Sequence, residues 1–330
     1  MNHDTYPRLL GDVGGTHARF AWQAHEAAMI SHIASYRCDQ HHTLLGAVRH
    51  YLAEQRKPPP PAGAIGIANP VTGDAVRMTN HHWSFSIAEL QHELGLQRLV
   101  VINDFTALAL SLPALMPEDL RPIGAGQAVA GAERAVFGPG TGLGVSGLLP
   151  TACGAGVPIH GEGGHVTLAP DNELESAVVL ALKKRFGHAS AERALSGPGL
   201  VNLYVAVCEV QGQTAEPLEP ADVIERSRSD QRDARCVAAV DLFCALLGST
   251  AGNLALTLGA RGGVYIGGGI APRILKELER SAFRQRFESK GRFRDYLAAI
   301  PTCVIDAAVS PAFLGAARAL DQAGPAEQLA

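Results

Sequence analysis

Two glycine-rich turns, each entered from a short apolar run, limit the fold of this chain more than any other feature. Leu9-Leu10 leads into Gly11-Asp12-Val13-Gly14-Gly15-Thr16, and Ala135-Val136-Phe137 leads into Gly138-Pro139-Gly140-Thr141-Gly142-Leu143-Gly144. Apolar runs of this length read as strands, and glycine at their ends marks a backbone that turns tightly or approaches a ligand closely. Two similar hairpins so far apart in the chain suggest a duplicated α/β unit. A third cluster, Gly267-Gly268-Gly269, follows the apolar run Val264-Tyr265-Ile266.

The segments between these turns alternate between strand and helix patterns. Gly63–Ala68 and Leu99–Ile102 read as strands. Ser86 caps a helix with Glu89 at its third position. Pro58–Pro61 reads as a stiff connector from helix to strand rather than an SH3-type ligand, because no P-x-x-P array extends it. Ala234–Leu258 has a long helical pattern suited to the core of a larger domain. Ser310-Pro311 opens a last helix, and Ala323–Ala330 reads as frayed.

A chain of 330 residues exceeds what one compact core usually holds, so two domains or one large α/β unit are expected. A hydrophobic share of 47% with 18% charged residues places it among globular proteins rather than disordered ones. The formal net charge of -4, with no run of Lys or Arg, excludes a nucleic-acid footprint. The N-terminus lacks the basic and apolar regions of a secretory signal. No apolar stretch reaches the roughly 18 uninterrupted residues of a membrane span. The six cysteines are scattered without a C-x-x-C pair, which reads as reduced thiols in the cytoplasm.

The first turn can cradle a phosphate chain, since Gly14-Gly15-Thr16 offers backbone N–H groups with no Cβ in the way and a hydroxyl from Thr16. Asp12 adds a carboxylate for a Mg²⁺ held through water. A plain β-hairpin without ligand is the competing reading. The second turn contains Gly142-Leu143-Gly144-Val145-Ser146-Gly147, a G-x-G-x-x-G match, with Glu162 at the spacing of about 20 residues that a dinucleotide site requires. That motif must open a helix, however, and Val145–Leu149 followed by Pro150 reads as a strand. A Walker-type loop is excluded because no G-K-[ST] occurs.

Asn103-Asp104 follows a strand and precedes a helix pattern over Phe105–Leu112. Asp104 thus lies where α/β proteins place their chemistry, although an Asp there also serves as a helix N-cap. His160-Gly161-Glu162-Gly163-Gly164-His165 gathers two imidazoles and a carboxylate in one loop. A polyol is a better ligand for it than zinc, because the P-C-x-x-C of zinc deaminases is missing. Glu192 stands beside a further glycine turn, Ser196–Gly199, where a lone Glu is ordinarily solvated.

In order along the chain, these segments resemble the bacterial glucokinase family, in the group outside the repressor/open-reading-frame/kinase (ROK) sugar kinases. The resemblance rests on the three glycine clusters, Met78-Thr79-Asn80-His81, Ile102-Asn103-Asp104-Phe105-Thr106-Ala107, Gly161–His165 and Leu195-Ser196-Gly197-Pro198-Gly199-Leu200. It implies a two-domain actin-like ATPase (ribonuclease H-like) fold with a cleft between a small and a large α/β domain. The small domain would comprise residues 1–112 completed by a helix at about 308–322, and the large domain residues 113–307. It further implies ATP-dependent phosphorylation of glucose at O6, with Asp104 as general base. Sugar contacts fall on Asn103, Asp104, Glu162, His165 and Glu192. Phosphate contacts fall on Gly11, Asp12, Val13, Gly14, Gly15, Thr16, Gly138, Gly140, Thr141 and Gly142, with Gly267, Gly268 and Gly269 near the adenosine. The resemblance also implies Mg²⁺ brought by the nucleotide, no structural zinc, no nucleic-acid or membrane partner, and a cytoplasmic homodimer. One departure is His17, where relatives commonly carry Asn after the first phosphate turn.

Two other readings use the same fold. A broader hexose kinase differs only in substrate range. A non-catalytic sugar-sensing protein of the transcriptional-regulator type would carry an N-terminal helix-turn-helix, and only a few residues precede the first strand here.

Overall fold

The computed structural model describes residues 5–79, 81–152, 154 and 156–323. Asn80 of the Met78–His81 motif, Cys153, the first four residues and residues 324–330 of the expected frayed tail lie outside the described residues. The chain divides into two compact units, one formed by residues up to Met116, Thr151–His160 and the chain from Ala307 onward, the other by Pro117–Pro150 and Gly161–Asp306.

The first unit is built on a five-stranded sheet. Its strands are β1 (Arg8–Val13), β2 (His17–Gln23), β3 (Ser31–Arg37), β4 (Ala62–Ile67) and β7 (Arg98–Asn103), in the order β3-β2-β1-β4-β7. A separate ribbon pairs β5 (Ala75–Arg77) with β6 (Ser84–Ser86). β1 and β2 form the antiparallel hairpin around the first glycine turn, and β1, β4 and β7 run parallel.

Side chains alternate across a strand, so the two faces of β1 bury different sets. Leu9 and Val13 join Ile65, Ile67 and the apolar stripe of helix Leu44–Glu54 on one face. Leu10, Ala62 and Ala64 pack on the other against Phe313, Ala316 and Leu320 of helix Ala312–Gln322. Asp12 and Gly66 alternate onto this second face. Gly66 keeps the approach close there, since a Cβ on it would lie a tight 3.2 Å from Ala107 in helix Asp104–Ser111. Gly315 acts in the same way: a Cβ on it would overlap the Ala107 carbonyl. Two glycines therefore let the helix that begins at Asp104 sit tight between sheet and last helix.

The second unit contains β8 (Leu120–Pro122), β9 (Arg134–Pro139) and β10 (Leu143–Leu149). After β11 (Val157–Gly161), which carries the chain from one unit's segments to the other's, it adds β12 (Val264–Ile266) and β13 (Thr302–Ile305). Within this unit the strand order is β10-β9-β12-β13-β8. β9 and β10 form the second antiparallel hairpin, and β9, β12 and β13 run parallel. The arrangement repeats that of β2-β1-β4-β7, the duplication that the two glycine hairpins suggest.

The helix expected over Ala234–Leu258 has those bounds. Asp233 caps it by accepting from the Arg235 N–H, and Gly259 ends it in the left-handed region at φ 64°. Its length and composition would suffice to cross a bilayer, but two-thirds of its apolar window is buried inside the unit. It is a core helix. The helix cap at Ser86 also stands as expected, accepting from the Glu89 N–H.

Candidate active site

In the first unit the parallel register places Val13, Ile67 and Asn103 side by side at the carboxyl ends of β1, β4 and β7. The first glycine turn and the Asn103-Asp104 pair therefore leave the sheet at the same edge. The turn is closed by the Gly14 N–H donating to the His17 carbonyl at 2.9 Å. His17 contributes backbone to the turn, and the residue itself is exposed at the start of β2.

Cys38 braces the turn from behind. Its N–H donates to the Thr16 carbonyl at 2.9 Å, and its Sγ–H donates to the Gly14 carbonyl at 3.4 Å. Burial pushes this thiol up to about 11, with Asp39 adding to the shift, so it keeps the proton it donates. Nothing local in the sequence marks Cys38 for this role, which depends on β3 returning alongside β2.

Asp12 sits at the end of β1 with 15% of its side chain exposed. Its Oδ2 accepts from Ser310 Oγ at 2.8 Å and from Arg19 at 3.2 Å. A carboxylate fixed in this way at the first glycine turn offers the hard oxygen that Mg²⁺ prefers. Because Arg19 already offsets part of its charge, an outer-sphere contact through water suits it better than direct coordination.

The helix cap at Asp104 is a correction to the sequence reading. Asn103 is the N-cap, its Oδ1 accepting from the Phe105 and Thr106 N–H groups at 2.9 and 3.2 Å. Asp104 is the first helical residue, with its Oδ1 accepting from the Phe105 N–H at 2.9 Å. Capping thus does not account for an acid at position 104. Asn103 Nδ2 donates to the Asn69 carbonyl at 3.4 Å, which holds the Asn103 amide in one orientation.

A second correction concerns the histidine-rich loop. His160 belongs to β11, where its Nδ1 lies 3.3 Å from Thr106 Oγ1, on the helix that begins at Asp104. Glu162 and His165 instead frame the turn Gly163–His165 in the second unit, closed by the His165 N–H donating to the Glu162 carbonyl at 3.0 Å. The two imidazoles therefore lie on different elements, and among the described residues no group of three His, Cys, Asp or Glu side chains could hold a metal ion.

The second unit gathers its candidate residues around the start of β10. The tip of the β9–β10 hairpin is closed by the Gly140 N–H donating to the Gly142 carbonyl at 2.8 Å. The G-x-G-x-x-G match runs along β10 itself, which excludes a dinucleotide turn. A Cβ on Gly138 would overlap the backbone of Gly267, and Gly268, at φ 79°, would meet the Pro139 carbonyl. The second and third glycine clusters are thus backbone-to-backbone neighbours. A Cβ on Gly164 would overlap the Leu143 carbonyl, so the Glu162–His165 turn rests on the same strand, with both named residues exposed. Glu192, in the turn Ala191–Arg193, is half-buried rather than solvated. Its Oε2 accepts from the Leu143 N–H at 2.9 Å.

The sequence model of the glucokinase family matches residues 9–323. The chain belongs to the glucokinase family. It is similar to the glucokinase of Aromatoleum aromaticum, at 55% identity over 322 residues that cover 97% of this chain and 96% of the relative. A crystal structure of glucokinase from an Antarctic psychrotroph superposes with a TM-score of 0.86 at 36% identity, covering 96% of this chain and 99% of that one. A ROK family glucokinase from Streptomyces griseus, in complex with glucose and AMPPNP, shares the fold at a TM-score of 0.65 and 19% identity, covering 96% and 100% of the two chains. The fold is that of the actin-like ATPases.

Proposed function

We propose that this chain transfers the γ-phosphoryl group of ATP to O6 of D-glucose, giving glucose 6-phosphate for glycolysis. The observation that carries this reading is 55% identity to a glucokinase along 97% of the chain. The glucose and AMPPNP held by the Streptomyces griseus enzyme support the same pair of ligands here.

In this reading Asp104 accepts the O6 proton as the O6–phosphorus bond forms and the bond from the γ-phosphorus to the β–γ bridging oxygen breaks. Asn103, Glu162, His165 and Glu192 hold the sugar hydroxyls. N–H groups of the Gly11–Thr16 and Gly138–Gly142 segments hold phosphate oxygens, and Gly267–Gly269 lies against the adenosine. Mg²⁺ bound to the nucleotide would supply charge neutralisation, with Asp12 meeting it through water. Each polar side chain that loses its hydroxyl partner penalises a wrong sugar, by up to about 10⁴-fold in well-built polar sites. We assign the chain to the cytoplasm as a homodimer.

The test is ADP release coupled to a reporter, with glucose, mannose, fructose and glucosamine compared by kcat/KM. Glucose is expected to lead. Release no faster with any hexose than without would overturn the kinase reading. A higher kcat/KM for another hexose would replace glucose and leave the chemistry standing.

A further inference from the structure

Glu192 and the tip of the second glycine turn occupy each other's space. Oε2 of Glu192 accepts from the Leu143 N–H at 2.9 Å, and a Cβ built on Gly142 would overlap that same oxygen. The neighbouring segments are joined a second time, by the Gly197 N–H donating to the Gly140 carbonyl at 2.8 Å. Ser196 fixes the Glu192 end: its Oγ donates to the Glu192 carbonyl at 2.8 Å and accepts from the Gly199 N–H at 2.9 Å, capping helix Gly197–Val210. A Cβ on Gly140, by contrast, meets nothing within 4 Å. Two glycines of one turn therefore have different reasons to be glycine. Position 140 is open, whereas position 142 is filled by a carboxylate.

We propose that Gly142 is a positioning residue for the sugar, and that Glu192 is shared between the sugar and the phosphate turn, so that binding at either tightens the other. The proposal rests on the assignment of Glu192 to the hexose made above. With Oε2 held by the Leu143 N–H, the carboxylate keeps one orientation, and a hydroxyl meets an acceptor that is already in place. The same bond runs backwards: a sugar that fixes Glu192 fixes the N–H at the end of the phosphate turn. Coupling of this kind is reciprocal by linkage. A side chain at 142 would displace the carboxylate and weaken the sugar without touching it.

Calorimetric titration of glucose in the absence of nucleotide tests this, since a residue serving only phosphate would leave that affinity alone. Gly142→Ala is expected to weaken glucose by about tenfold or more, the scale of one charge-assisted hydrogen bond. AMPPNP titrations supply an independent arm. Glu192→Gln retains an oxygen for the Leu143 N–H and should bind AMPPNP as wild type does, while Glu192→Ala should bind it about fivefold more weakly or worse.

Wild-type glucose affinity in Gly142→Ala would overturn the positioning role, and equal AMPPNP affinities in the two Glu192 variants would overturn the coupling. Should Gly142→Ala fail to fold, as judged by its circular dichroism, the Glu192 pair still decides. A wild-type protein that binds no glucose would instead remove the assignment of Glu192 to the sugar, a result distinct from either of these.

Discussion

Ser310 Oγ donates a hydrogen bond of 2.8 Å to Asp12 Oδ2, joining positions 298 residues apart in the chain. Ser310 stands just before helix Ala312–Gln322, and Asp12 lies on the face of β1 that this helix covers. The helix thus fixes the orientation of a carboxylate at the phosphate turn as well as burying apolar surface.

Ser310→Ala removes that bond and leaves the Arg19 contact to Asp12 Oδ2 in place. A hydrogen bond to a charged group contributes about 1.5–3 kcal/mol, so kcat/KM for ATP should fall by about tenfold or more. Glucose affinity measured without nucleotide should stay within about twofold of wild type, since no sugar contact is assigned to Asp12. Steady-state kinetics with ATP varied at saturating glucose read the effect directly. An unchanged kcat/KM would mean that Arg19 alone holds the carboxylate.

Asp104→Ala separates binding from chemistry. Loss of a general base costs roughly 10²–10⁴-fold in rate, so kcat should fall by that order while glucose still binds in calorimetry. Asn103 remains as the helix cap, still accepting from the Phe105 and Thr106 N–H groups, so circular dichroism should keep the wild-type fold. Near-normal turnover would exclude Asp104 as the base.

The pair Glu175 and Arg286 predicts an acid limb of stability. Glu175 is 1% exposed, and its two oxygens accept from Arg286 at 2.5 and 3.0 Å. Burial pushes the Glu175 carboxyl up, but Arg286, the Asp171 N–H and Asn172 together hold it below its ordinary range. A carboxylate whose folded pKa lies below its unfolded value near 4.3 adds stability above that value and loses it as pH falls through the folded pKa. Glu175→Gln should lower Tm at neutral pH by roughly 10 °C, as breaking a buried pair costs about 3–5 kcal/mol. The variant should also flatten the decline in Tm below about pH 4. A parallel shift of the whole Tm–pH curve would show that the pair does not titrate with folding.

The parts of this architecture that were legible in sequence are those set by neighbours in the chain. Glycine after a short apolar run, a Ser cap with Glu89 behind it, and the periodicity of Ala234–Leu258 all act within one or two turns of backbone. What escaped was set across the fold. A lone Glu beside a helix start carries no local sign that β10 will bring the Leu143 N–H to it, so Glu192 read as solvated. His160 read as part of a loop because glycines follow it, whereas pairing as β11 and the contact with Thr106 depend on distant chain. Cys38 and Ser310 likewise acquire meaning only through the carbonyl and carboxylate they meet.

The close seat of helix Ala312–Gln322 has a consequence for synthesis on the ribosome. Leu10, Ala21, Ala62 and Ala64 emerge early, yet the Phe313, Ala316 and Leu320 that cover them emerge only after the entire second unit. At about 5–20 residues per second, that interval lasts on the order of ten seconds or more. Throughout it those four side chains lack the cover of the last helix, and by its end every residue of the unit encoded in the middle has already been made.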